Sequence, residues 1–219
     1  MTRQMRAAVM KGIKNIEIES HPVPIPSEDE VLVRIKSVGI CGSDVHYFVE
    51  GRIGDYIVHP PFILGHECSG EVVEIGTKVK NLKPGDRVTM EPGIPCGKCE
   101  NCRTGRYNLC PDVIFWATPP IDGTFCDYVT HPAHFTYPIA DHVSIEEAAL
   151  VEPLSVGVYA TRRAQVESGQ IALILGSGPI GLVTLEALLA RGVTKVIAVD
   201  IVDRRLQKAK ELGAFLTLN

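Results

Sequence analysis

The sequence predicts a β-rich domain followed by the opening units of a parallel α/β domain. Three observations carry this reading. As far as about residue 143, short β-branched runs alternate with glycine and proline turns. Beyond that point the pattern changes to strand, glycine-rich turn, helix, strand and helix. Within the β-rich part, Cys96, Cys99, Cys102 and Cys110 follow the spacing C-x2-C-x2-C-x7-C, which suits a bound metal.

Taken in order, residues 6–11 and 14–18 alternate around Gly12, the pattern of a hairpin. HPVPIPSEDE is a Pro-rich polar loop, and VLVRIKSVGI at 31–40 is a β-branched strand. GEVVEIG at 70–76 and DRVTMEP at 86–92 are two more strands, joined by the turn residues KNLKPGD. Many short strands punctuated this way suggest a small barrel or sandwich. The run VSIEEAALVEPLSVGVYATRRA is expected to be helical from Ser144, with Glu146 and Glu147 in the first turn. A strand at 170–175, a helix at about 179–191, a strand at 195–200 and a helix at about 203–212 follow. The expected domains are residues 1–153 and 154–219.

With 219 residues, 45% of them hydrophobic, the chain can bury a sizeable core in one large or two smaller domains. A net charge of −4, well mixed, does not suggest a nucleic-acid partner. The N-terminus has no apolar segment of the kind a secretory signal needs, and the longest apolar runs are far too short for a bilayer span. Seven cysteines, an odd number, argue against a disulfide framework and for a reducing, cytoplasmic setting. Cys68 and Cys126 are read as packing thiols, and His21, His59, His131, His134 and His142 receive no role.

A two-residue gap lets two thiolates turn toward one ion, and Cys110 closes a four-sulfur set without an open position, so the implied zinc is structural. The run GSGPIG places Gly176, Gly178 and Gly181 between a predicted strand and a predicted helix, with Asp200 ending the next strand 19 residues on. Gly176 allows the tight turn, Gly178 admits the pyrophosphate and Gly181 lets helix and strand approach. The free N–H groups of the helix start favour an anion there. Asp200 would accept from a ribose 2′-hydroxyl and repel a 2′-phosphate, which favours NAD over NADP; Arg204 and Arg205 are the residues that could instead meet a phosphate.

Cys41, Ser43 and His46 are expected in a turn after a strand, His66 and Glu67 lie between Gly65 and Gly70, and Glu152 falls in the expected helix. A thiolate, an imidazole and a carboxylate drawn from these segments could share a zinc ion and leave one position open, the arrangement of a catalytic zinc. Such an ion lowers the pKa of a bound alcohol before hydride leaves for nicotinamide. Ser43 could take the hydroxyl proton and pass it toward His46.

The GHE-x2-G of 65–70, the C-x-S-x2-H of 41–46, the four-cysteine lobe and GSGPIG resemble zinc-dependent medium-chain dehydrogenases. YFVEGRIGDYIVHPPFILGHE, FWATPPIDGTF and LVEPLSVGVYATRRA resemble the polyol branch, the sorbitol and xylitol dehydrogenases, and the likeness covers essentially the whole chain. The resemblance implies a β-rich GroES-like catalytic domain joined to a partial Rossmann domain, with the first β-α-β-α only. It implies a catalytic zinc on Cys41, His66, Glu67 and water, with Glu152 holding that water or replacing it. Classical alcohol dehydrogenases carry a cysteine where Glu152 stands, so the acid favours polyols. Tyr47, Phe115 and Thr118 would line the substrate cleft; Ile180, Asp200 and Arg205 would contact NAD; the assembly would be a homotetramer.

Family members are longer, and the chain stops where the third Rossmann strand would begin. The first strand of the parallel unit is therefore expected to carry an unpaired flank, open to aggregation or pairing. The chain alone is expected to bind structural zinc but to turn over poorly or not at all. The alternatives are a truncated, non-catalytic zinc-binding protein, a threonine or simple alcohol dehydrogenase, and a zinc-free reductase.

Overall fold

The computed structural model describes residues 3–219; Met1 and Thr2, on which part of the signal-segment reading falls, lie outside the described residues. The chain divides into two compact units, Met1–Leu150 and Val151–Asn219.

In the first unit, β1 (Gln4–Gly12) and β2 (Asn15–Pro22) pair antiparallel around a turn in which Lys14 takes φ 60°. β3 (Glu30–Gly39) leads into α1 (Gly42–Glu50). The short pair β4 (Arg52–Ile53) and β5 (Tyr56–Ile57) precedes β6 (Phe62–Ile63), the long β7 (Glu67–Ile75) and β8 (Arg87–Met90). Then follow β9 (Gly93–Ile94), α2 (Glu100–Arg103), β10 (Ile114–Phe115), β11 (Tyr128–Pro132), β12 (Thr136–Pro138) and α3 (Ile145–Ala149). The strands form an antiparallel sheet in the order β11-β3-β7-β8-β12 and a smaller one in the order β2-β1-β6.

Val31, Val33, Val72, Val88 and Met90 are almost wholly buried beside Trp116. Burying each such side chain is worth about 2 kcal/mol. Where β3 meets β7 the register slips twice, between Leu32 and Val33 and between Ile35 and Ser37. Bulges of this kind bend and twist the strand. Past the second slip the pairing ends with Gly39 opposite Glu67, so the exit of β3 and the entry of β7 lie side by side. α3 is held on β7 by the Ser69 hydroxyl, which donates to the Ile145 carbonyl at 2.6 Å. Its start is closed by reciprocal bonds between Ser144 and Glu147, a box worth about 1 kcal/mol.

In the second unit, α4 (Val151–Arg163), β13 (Ile171–Leu175), α5 (Pro179–Ala190), β14 (Lys195–Val199), α6 (Asp203–Glu211) and β15 (Leu216–Leu218) alternate, and the strands lie parallel in the order β13-β14-β15. The third strand does form, though only three residues long. Leu185, Leu188, Val193 and Val196 centre its core. Gly157 brings α4 against α5; a Cβ there would lie 2.8 Å from the Val183 carbonyl. β13 leaves Ile171, Leu173 and Leu175 between 59% and 78% exposed.

Two local expectations are corrected. Cys41, Ser43 and His46 were placed in a turn, but Cys41 caps α1 and the other two lie in its first and second turns. The helix expected to run on from Ser144 is interrupted at Leu150. Pro153 lacks an N–H and its ring would clash with the carbonyl four residues back, so it is accommodated only in the first turn of a new helix.

Candidate functional site

The bulged end of β3 and the start of β7 bring three donors together. One ligand atom each from Cys41, His66 and Glu67 lie within 4.8 Å of one another. Cys41 is half-buried at the cap of α1; His66 and Glu67 are buried. Gly65 supplies the turn that aims His66: its φ is +92°, and a Cβ there would meet the Phe125 ring at 2.4 Å. Space for the Glu67 carboxylate comes from Gly39, where a Cβ would lie 2.2 Å from Glu67 Oε2.

Asp44, which the sequence reading passed over, organises this corner. Its Oδ2 accepts from the Cys41 N–H at 2.9 Å and its Oδ1 from the Gly65 N–H at 2.9 Å. The same Oδ1 stands 3.9 Å from His66 Nδ1. One buried carboxylate thus ties the cap of α1 to the turn before β7. The signal was an acid three residues after a helix cap, hidden because cysteine is an unusual cap.

The electrostatics suit a cation. Burial pushes the Cys41 thiol up, opposed by hydrogen bonds from Ser43, and the nearby Glu67 charge adds to the rise. Burial also raises the Glu67 carboxyl, against the lowering effect of His66. His66 Nδ1 is buried without a hydrogen-bond partner. A sulfur, a nitrogen and an oxygen donor, two of them strained toward neutrality by burial, fit a zinc-type ion that would hold both acids ionised.

The remaining residues named around this centre fall as follows. Tyr47 is buried among Met10, Val58, Phe62 and Leu64. Phe115 is half-buried with its ring edge-on to His66, centroids 5.7 Å apart. Thr118 is half-buried and its N–H donates to the Phe115 carbonyl at 3.2 Å. Ser43 is half-buried beside Cys41, whereas His46 is exposed and pairs with Glu50 at 3.5 Å. Glu152 belongs to the second unit, half-buried in the first turn of α4.

Cys96, Cys99, Cys102 and Cys110 form a second cluster with all four sulfurs within 4.8 Å. None is in a disulfide. The Sγ atoms of Cys99 and Cys102 are 3.4 Å apart and those of Cys96 and Cys102 are 4.0 Å apart. These bracket the edge of about 3.8 Å that a tetrahedron of Zn–S bonds of about 2.3 Å requires. Backbone N–H groups of Cys96, Cys99 and Cys102 point at the sulfurs of Cys110, Cys96 and Cys99. N–H donation from Lys98 and Cys99 lowers the Cys96 thiol to about 7, while burial and the neighbouring thiols raise Cys102 to about 12.

In the second unit, a groove of about 520 Å³ is lined by Gly176, Gly178, Ile180, Gly181, Asp200 and Arg205 among others. Gly176 has φ +102°, and a Cβ on Gly181 would lie 1.9 Å from the Gly176 carbonyl oxygen. Gly178 caps α5, with Pro179 in its first turn. Asp200 accepts from the Ser177 N–H at 2.7 Å and from the Val202 N–H at 2.8 Å, and Arg205 stands 3.5 Å away. Those N–H groups, aided by Arg205, hold its carboxyl below the usual range.

Residues 27–141 match the family model of the alcohol dehydrogenase GroES-like domain. Over 217 residues the chain is 50% identical to sorbitol dehydrogenase of Bacillus subtilis (strain 168), covering 99% of this chain and 62% of that protein. It is 52% identical to sorbitol dehydrogenase of Homo sapiens over 210 residues, 96% of this chain and 59% of the human protein. The crystal structure of an Escherichia coli oxidoreductase/dehydrogenase of unknown specificity superposes with a TM-score of 0.94 at 44% identity, covering 99% of this chain and 63% of the other. The chain therefore spans about three fifths of the length of these relatives. A β-rich unit whose bulged strand delivers a cysteine beside a Gly-His-Glu turn, matched by the family model over more than half the chain, makes this chain a member of the alcohol dehydrogenase GroES-like family.

Proposed function

We propose that the protein carrying this chain oxidises a secondary alcohol of a sorbitol- or xylitol-like polyol to a ketose, with zinc and NAD. The convergence of Cys41, His66 and Glu67 within 4.8 Å carries the reading. Zinc on these donors supplies the Lewis acidity that lowers an alcohol's pKa, and NAD supplies the hydride acceptor. A second zinc on Cys96, Cys99, Cys102 and Cys110 is structural.

The chain's own residues do the rest. Asp44 holds Cys41 and His66 in register. Ser43, half-buried beside Cys41, takes the hydroxyl proton, and His46, exposed one turn along α1, is its outlet to water. Phe115, Thr118 and Tyr47 shape the substrate side, and Glu152 keeps the role the resemblance assigns it. Gly176, Gly178 and Gly181 leave the start of α5 open for a pyrophosphate, with Ile180 beside it. Asp200 and Arg205 face the ribose end; the Asp200 charge favours a free 2′-hydroxyl and hence NAD. A homotetramer in a reducing, cytoplasmic setting, acting on a small molecule without nucleic acid or membrane, completes the proposal. The odd number of cysteines in the sequence supports the reducing setting, and among the described residues no helix is long and apolar enough to cross a membrane.

The test is a panel of sorbitol, xylitol, threonine and ethanol with NAD and NADP, run on the protein at the length its gene encodes and followed by NADH formation. Turnover on the polyols with NAD is expected. Zinc uptake without reduction of NAD by any alcohol would leave the non-catalytic zinc-binding reading standing instead.

A further inference from the structure

The four-cysteine loop is joined to the rest of the first unit by a narrow neck. β9 and β10 pair for two residues, Ile94 opposite Ile114 and Gly93 opposite Phe115, and the loop of residues 96–110 hangs beyond them. Its own bonds are internal: the Asn101 amide donates to the Leu109 carbonyl at 2.7 Å, and the Arg106 N–H to the Asn101 carbonyl at 2.8 Å. Among the described residues, one side-chain hydrogen bond leaves it. The Tyr107 hydroxyl donates to Glu91 Oε2 at 3.2 Å.

Glu91 is a junction. The same Oε2 accepts from the Tyr137 hydroxyl of β12 at 3.1 Å. Its N–H donates to the Phe135 carbonyl at 3.0 Å, and its carbonyl accepts from His131 Nε2 at 2.9 Å. Burial and the Glu91 charge keep both phenols protonated as donors, with Tyr137 raised to about 12. The next residue, Pro92, accepts from the Trp116 N–H at 3.1 Å. Gly93 follows, and its bare Cα lies under the Phe115 ring, where a Cβ would come within 3.2 Å of Cδ2. The same ring meets the His66 imidazole edge-on, centroids 5.7 Å apart. A continuous line of contacts therefore runs from the loop, through Glu91 and the neck, to a ring packed on His66.

We propose that Glu91 is a positioning residue: by holding Tyr107 and Tyr137 on one oxygen it fixes the neck, and so seats Phe115 against His66. The four-cysteine loop and the Cys41–His66–Glu67 corner then respond together when the clasp is opened. The consequence for turnover rests on the dehydrogenase reading of that corner; the contact itself does not.

The experiment uses the 219-residue chain with zinc and again after chelation. Amide exchange across residues 96–115 reports the neck. The His66 ring-proton resonances report Phe115 through its ring current, with Phe115→Leu as the reference for its loss. Glu91→Ala is expected to speed exchange in the loop and neck by at least about tenfold, because it removes the charged acceptor of both the Tyr107 and the Tyr137 hydroxyl. It should also move the His66 resonances toward those of Phe115→Leu. Glu91→Gln, which keeps an acceptor oxygen, should restore both. Tyr107→Phe and Tyr137→Phe, each removing one hydroxyl from a partly exposed ring, give the same shifts in smaller measure should Glu91→Ala not fold. Faster loop exchange with His66 resonances unmoved would overturn the proposal, as would no change in either. A chain that takes up no zinc at the His66 corner would instead count against the dehydrogenase reading and leave the clasp to be judged by the chelated samples.

Discussion

Gly39 lies against the carboxylate of Glu67 with no room for a single added carbon: a Cβ there would sit 2.2 Å from Oε2. The obstructing atom is the end of a flexible side chain, so the fold can adjust but the donor cannot stay. Gly39→Ala is therefore expected to shift the thermal midpoint little while weakening metal at the Cys41–His66–Glu67 corner by about 10- to 100-fold. Competition between the protein and a chromogenic chelator for cobalt measures this; wild-type affinity in the variant would refute it.

The lobe should hold its own ion. Cys102→Ser removes one of four sulfurs in contact range. Loss of one zinc per chain is expected, with cobalt at the Cys41 corner retaining its thiolate absorption. Elemental analysis and the cobalt spectrum separate the two sites.

His131 is buried beside Trp116, and burial depresses it to about 4. Its folded value lies below the unfolded one of about 6.5, so between these the unfolded chain takes up a proton that the folded chain refuses. Stability is thus lost as pH falls from about 6.5 toward 4, by about 3 kcal/mol from this group. Urea midpoints of metal-free protein across that range should show the slope, and His131→Phe should flatten it.

Asp200 has two duties. Its oxygens bind the N–H groups of Ser177 in the glycine turn and of Val202 before α6. Asp200→Ala should lower the melting temperature of the second unit as well as weaken NADH binding. Asp200→Asn, which keeps one acceptor, should recover more of the melting temperature than of the preference for NAD over NADP. Equal recovery of both would contradict the division of labour.

Much of this was legible in the residues because the signals were local. The Cys96–Cys110 spacing and the Gly176–Gly181 turn each specify their geometry over a few residues: the four sulfurs lie within 4.8 Å of one another, and Gly176, Gly178 and Gly181 line the groove at the start of α5. The pairing of Gly39 with Glu67, 28 positions on, depends on two register slips between β3 and β7, which no local pattern encodes. Asp44 was hidden in two ways: its local bond to Cys41 belongs to a cap that cysteine seldom makes, and its other partner, Gly65, arrives only after β3 and β7 align. The break at Leu150 was readable from Pro153, but helical periodicity on both sides masked it.

The two-residue β9–β10 neck has an evolutionary corollary. Because the excursion of residues 96–110 leaves and re-enters at one point, it behaves as a cassette. Shortening it or stripping its cysteines would leave the valine interior packed as it is, whereas losing the Tyr107 hydroxyl would take one of the two donors from Glu91.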